Sequence, residues 1–105
     1  MAAPKGWTFL THHGHVLVAV ADQPDLRVTD IAERVGISTR AALTILKDLE
    51  TAGYLRRSKV GRRTHYGVRR HRPFRHPLNA GHDVDQLLAI FTSDGDPQGL
   101  PSDSA

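Results

Sequence analysis

Cysteine is absent from the chain, and with it go a disulfide framework, a thiolate zinc centre and a cysteine nucleophile. Aromatic residues are scarce, at 6% of the total, so a core has to be built mainly from Val, Leu, Ile and Ala. No apolar run approaches the roughly 18 residues of a membrane span; the longest is Val16–Ala21. Met1–Gly6 has no apolar segment of the signal-peptide kind, and the expectation is a soluble, cytoplasmic protein. Acidic residues are missing from Arg56–His76, which holds nine Lys and Arg. Lys and Arg are missing in turn from Asp83 onward, where five Asp stand. The net charge of +3 therefore conceals a basic block followed by an acidic tail. A concentrated basic block suits a polyanionic partner such as nucleic acid, although a solvated basic surface has the same composition.

With 105 residues, of which 39% are apolar, the chain can form one modest core and no large ligand cavity. A core of this size gains from further burial against a second copy. Thr11 is placed to cap a first helix over about His12–Ala21, in which Val16, Leu17, Val20 and Ala21 recur at helical spacing. Pro24 ends that pattern within the turn Asp22–Asp25. Leu26-Arg27-Val28 reads as a short extended piece, a small edge strand. Thr29 then caps a second helix over Asp30–Val35, with Asp30 and Glu33 favouring its positive end. Gly36 stops it. Ser38 caps a third helix over Thr39–Ala52, with Ala42, Ile45, Leu46 and Leu49 as its buried stripe, and Gly53 stops it in turn.

Tyr54–Ser58 and Thr64–Val68 read as two strands joined by a turn over Val60–Arg63, with Gly61 at the tip. Arg69–Pro77, broken by Pro73 and Pro77, reads as an extended connector. A last helix over Val84–Phe91 carries Val84, Leu87, Leu88 and Phe91 as an apolar stripe. Ser93–Ala105 has the composition of a disordered tail. The expected organisation is one domain over residues 8–92, with flexible tails at 1–7 and 93–105.

A capped short helix, a turn containing Gly and a longer capped helix make a helix-turn-helix. Ile31 and Ala32 would pack the first of these onto Ile45 and Leu49 of the second, with Ile37 plugging the turn. The hairpin after Leu55 stands where a wing would. The ordered elements "VTDIAERVGIS", "TRAALTILKDLETAGYL" and "RRSKVGRRTHYGV" resemble winged helix-turn-helix regulators of the MarR and ArsR kind. "WTFLTHHGHVLVAVA" looks like the first helix of compact regulators of this group. The resemblance implies a mainly α fold with a small β-hairpin wing (α+β), a three-helix core plus a C-terminal helix. It also implies binding of double-stranded DNA by a transcriptional regulator, a homodimer on a short palindromic site.

Residues facing away from the core stripe of the third helix are Thr39, Arg40, Leu43, Thr44 and Lys47, with Ser38 at the cap. The N-terminal residues of such a helix reach base edges in the major groove. Arg40 can fork to a guanine, Thr39 and Thr44 can pair with bases or phosphates, and Leu43 can meet a thymine methyl or be covered by the second helix. Lys47, one turn lower, suits a phosphate. In the wing, Lys59, Arg62, Arg63 and His65 suit the backbone or the minor groove. Tyr66 is expected to pack beneath it. Val84, Leu87, Leu88 and Phe91 are the candidate dimerisation residues.

Seven histidines raise the question of a metal. His12 and His15 lie one helical turn apart, but no Cys and no clustered carboxylate accompanies them, so no metal ligand and no cofactor is assigned. Nothing resembles a nucleophile elbow or a glycine-rich phosphate loop, and no enzyme is expected. Two other functions remain compatible with the sequence. One is a metal- or small-molecule-responsive switch of the same fold, its effector unknown. The other is a winged-helix interaction module that does not bind DNA.

Overall fold

A computed structural model describes residues 6–92. The chain divides into two compact units, Met1–Arg69 and Arg70–Ala105. The tail expected at 93–105 and the first five residues of the N-terminal arm lie outside the described residues. No helix among those described is long and apolar enough to cross a membrane.

The first unit runs α1 (His12–Asp22), α2 (Val28–Val35), α3 (Thr39–Thr51), β1 (Leu55–Val60) and β2 (Arg63–Val68). The architecture is the expected α+β winged helix, three helices followed by a two-stranded antiparallel hairpin. The three helices pack on one another, α3 also meets β1, and α1 meets β2. Their shared core is aliphatic: Val16, Val20, Ile31 and Ala42 are fully buried, and Leu17, Ala32, Ile45, Leu46 and Leu49 nearly so. Each large side chain of this set stabilises the fold by about 1.5–3 kcal/mol.

Local chemistry explains most helix ends. Thr11 Oγ1 accepts from the Gly14 N–H, and Ser38 Oγ from the Ala41 N–H, each satisfying a donor that the first turn cannot. Gly36 closes α2 at φ 86°, ψ 34°, the left-handed geometry that a Cβ disfavours. Gly53 likewise has φ 88° just beyond α3.

The start of α2 differs from expectation. It begins two residues before Asp30, so Arg27 is the N-cap and Thr29 lies inside the first turn. Arg27 has no side-chain acceptor and makes no side-chain cap; its carbonyl oxygen receives the Asp30 and Ile31 N–H groups. Of the two acidic residues, Asp30 alone stands in the first turn. The edge strand expected at Leu26–Val28 is also missing, because Val28 already belongs to the helix. Its place is taken by one hydrogen bond, from the Tyr66 N–H to the Pro24 carbonyl oxygen at 3.2 Å. Pro24 has no N–H to return, so a ladder cannot continue through it.

The hairpin is longer and its turn tighter than the sequence suggests. Val60 pairs with Arg63, leaving Gly61-Arg62 as a two-residue turn, and the register runs back to Leu55 opposite Val68. Gly61 has φ 64° with open space around it, so its conformation and not crowding calls for glycine. Beyond the last pair, the Arg69 N–H donates to the Tyr54 carbonyl oxygen at 2.8 Å.

The second unit contains α4 (Val84–Phe91). The stretch ahead of it is folded back rather than simply extended. Pro73 forms an isolated antiparallel bridge with Asp83, and the Phe74 N–H donates to the His82 carbonyl oxygen. Asp83 makes no side-chain cap. The carbonyls of Arg72 and Arg70 instead accept from the Val84 and Asp85 N–H groups at 2.9 and 2.8 Å. An Arg70–Asp85 ion pair at 3.2 Å fastens the same turn.

Candidate nucleic-acid interface

An amphipathic helix must show its polar side to whatever the core does not cover. On α3, with Ala42, Ile45, Leu46 and Leu49 turned inward, the exposed residues include Thr39, Arg40, Leu43, Thr44 and Lys47. There is no acidic residue in the first turn. Arg40 and Lys47 make no ion pair among the described residues, so both cations remain available. The polar groups are not all equally free. Ser38 spends its oxygen on the cap, and Thr44 Oγ1 donates to the Arg40 carbonyl oxygen at 3.2 Å. Thr44 therefore offers lone pairs and a methyl group outward, while Arg40 supplies the donors.

For Leu43 the sequence allows a base contact or cover by α2. It is 51% exposed, and with Lys47, Glu50, Arg57 and Tyr66 it lines a cleft of about 340 Å³ between α3 and the wing. The hairpin thus lies across the cleft from it. Across this cleft the Arg57 guanidinium approaches the Glu50 carboxylate at 3.8 Å. Tyr66, buried as expected, stands directly opposite Arg57 in the hairpin register. Burial pushes its hydroxyl above the ordinary value of 10.0, partly offset by Arg57 and reinforced by Glu50.

Alternation in the hairpin sorts the basic residues by face. Lys59 lies on the same face as Arg57 and Tyr66, and Arg62 is in the turn; both are exposed and make no ion pair among the described residues. Arg63 and His65 lie on the other face and reach back to the α1–α2 turn. An Arg63 guanidinium nitrogen donates to the Asp25 carbonyl oxygen at 2.9 Å. His65 Nδ1 donates to Asp25 Oδ1 at 2.7 Å. A carboxylate only accepts, so this bond fixes the proton on Nδ1 and leaves Nε2 as an acceptor in the neutral ring. Neutral His65 therefore has no donor left for a phosphate oxygen. Asp25 escaped the sequence reading because its partners are 38 and 40 residues away and no local spacing signals them.

The three-helix arrangement, the exposed face of α3 and the hairpin that flanks it form one continuous stretch of chain. A sequence model of the MarR family matches residues 8–64 of the 105. The chain belongs to the MarR family. Its fold is similar to that of MepR, a transcription regulator of the Staphylococcus aureus multidrug efflux pump MepA. The TM-score is 0.52 at 21% identity, with 77% of this chain and 56% of MepR covered. The MarR-family chain thus spans little more than half the length of MepR. A comparison with curated protein sequences found no match.

The histidines of this MarR-family chain are engaged otherwise than the spacing suggested. His13, between the two that share a helix face, donates through Nε2 to Asp48 Oδ2 at 2.9 Å and joins α1 to α3. Among the described residues no three His, Cys, Asp or Glu side chains are grouped to hold a metal ion. In the second unit, Val84 and Leu88 are buried within the single chain, Leu87 is half-buried, and Phe91 is exposed. Ile90, outside the predicted stripe, is 72% exposed.

Proposed function

We propose that this MarR-family chain is a transcriptional regulator that binds double-stranded DNA in a sequence-specific manner, as a homodimer on a palindromic site. One observation carries the reading: the exposed, acid-free first turns of α3 stand beside a wing whose Lys59 and Arg62 make no ion pair among the described residues. Membership of the MarR family and a fold shared with a transcription regulator support it. In this reading the N-terminal half of α3 enters the major groove, where Arg40 forks to a guanine, Thr39 pairs with a base or donates to a phosphate, and Thr44 accepts from a base. Lys47 meets the backbone. Lys59 and Arg62 lie along a phosphate strand or enter the adjacent minor groove, and no enzymatic activity is assigned. A two-fold dimer would present two such helices about 34 Å apart, one turn of duplex. The terminal helix, through Leu87, Ile90 and Phe91, would contribute to the contact between copies, and residues 8–92 would act as the functional whole.

The test is selection of bound fragments from genomic DNA, followed by sequencing and by titration of the recovered duplex at several salt concentrations. A recurrent inverted repeat and an affinity that falls steeply with salt are expected. Recovery of random fragments would overturn sequence specificity, and no salt-dependent binding to any duplex would overturn the whole reading.

A further inference from the structure

A two-stranded ribbon is weakly held unless something packs on it or ties it down. In this hairpin the packed part is the base. Leu55 and Tyr66 are buried, whereas Ser58 through Arg63 are exposed, and Thr64 and His65 only half-buried. Between the distal wing and the start of α2 is a cleft of about 360 Å³, lined by Arg27, Val28, Arg62 and Thr64 among others. Packing therefore leaves the inclination of the distal wing undetermined, although that inclination decides whether its cations meet the duplex gripped by α3.

We propose that Asp25 is a positioning residue that sets the wing for DNA, holding β2 through His65 and Arg63; the role in binding rests on the functional reading above. The tie has two parts. The Asp25 carboxylate accepts from His65 Nδ1 at 2.7 Å, and the Asp25 carbonyl oxygen accepts from Arg63 at 2.9 Å. One residue earlier, the Pro24 carbonyl oxygen accepts from the Tyr66 N–H at 3.2 Å. Three successive points thus join the α1–α2 turn to the outer edge of β2. Two of the wing's basic residues serve this attachment, whereas Arg56, Lys59 and Arg62 are exposed and make no ion pair among the described residues.

Removing the Asp25 carboxylate also removes a negative charge near the DNA, which by itself strengthens binding. Asp25→Ala and Asp25→Asn lose that charge equally, but only Asn keeps an oxygen to accept from His65 Nδ1. The ratio of their dissociation constants therefore isolates the hydrogen bond. For the full chain and a mixed-sequence duplex about three helical turns long, Asp25→Ala is expected to bind about two- to fivefold more weakly than Asp25→Asn, as suits an exposed charge-assisted contact. The ratio should fall to one when His65→Ala is added to both. In the free protein, backbone amides of residues 63–65 should exchange with solvent faster in Asp25→Ala than in Asp25→Asn. Equal affinities overturn the role in binding, whether or not exchange differs. Equal exchange overturns the carboxylate's part in the tie. If the unaltered chain binds no duplex, the functional reading falls, and the exchange measurement still decides whether Asp25 holds the wing.

Discussion

Thr44 Oγ1 donates to the Arg40 carbonyl oxygen one turn earlier, at 3.2 Å. The pair divides the work of the outward face of α3: Thr44 keeps acceptors and a methyl, and Arg40 keeps the fork of donors that matches guanine. Arg40→Ala is expected to cost about 1–3 kcal/mol of discrimination at one base position. Arg40→Lys should not restore it, because an ammonium cannot reproduce the bidentate geometry. Thr44→Val should leave stability within about 0.5 kcal/mol, since the site is exposed. Competition binding with singly substituted duplexes, and urea unfolding, check these outcomes.

Arg62 differs from Arg40 in kind. It sits in the hairpin turn beside Gly61, exposed and without an ion pair among the described residues. Arg62→Ala should weaken binding by the same factor for all sequences and lower the slope of log affinity against log salt by about 1. A sequence-dependent loss would instead place Arg62 on a base edge.

Tyr66 gives the fold an alkaline limit. Burial holds its hydroxyl above the ordinary value of 10.0, so the unfolded chain releases this proton first as pH rises. Below that value both states keep the phenol neutral and the full stability is present. Above it, stability falls progressively as pH climbs toward the folded-state value. Tyr66→Phe, which keeps the packing, should flatten the decline in urea midpoints measured between about pH 8 and pH 11.

On α4, Leu88 is fully buried whereas Ile90 and Phe91 are 72% and 51% exposed. Leu88→Ala should therefore cost about 2–5 kcal/mol of stability through the cavity it leaves. The double change Ile90→Asp/Phe91→Asp should reduce the particle mass in light scattering to that of one chain and make the unfolding midpoint independent of protein concentration. Retention of a two-chain mass would exclude these residues from the contact between copies.

Caps and periodicities act within one or two turns, and the sequence alone was enough for them. Thr11 and Ser38 at helix starts, Gly36 and Gly53 at helix ends, and the stripe Ala42–Leu49 each rest on neighbours a few residues away. So do the hairpin around Gly61 and α4 itself, and with these elements in this order the family was already recognisable. The outward set of α3 followed from the same 3.6-residue repeat. Where the local signal was divided, the reading failed. Thr29 is a better cap than Arg27 by chemistry, yet α2 begins after Arg27, and Pro24 can accept only the single bond that replaces the expected strand.

Long-range proximity decided the remainder. His65 and Asp25 meet because the turn after α1 is carried against β2, and a residue that the sequence offers as a DNA contact also serves as an attachment. His13 rather than His12 or His15 finds a carboxylate, because Asp48 of α3 is brought to it. Leu43 borders the wing cleft, and Val84 and Leu88 are buried while Ile90 is not. Each outcome depends on which surfaces the tertiary packing places within a few ångströms, and hydrogen bonds and burial act only over that range.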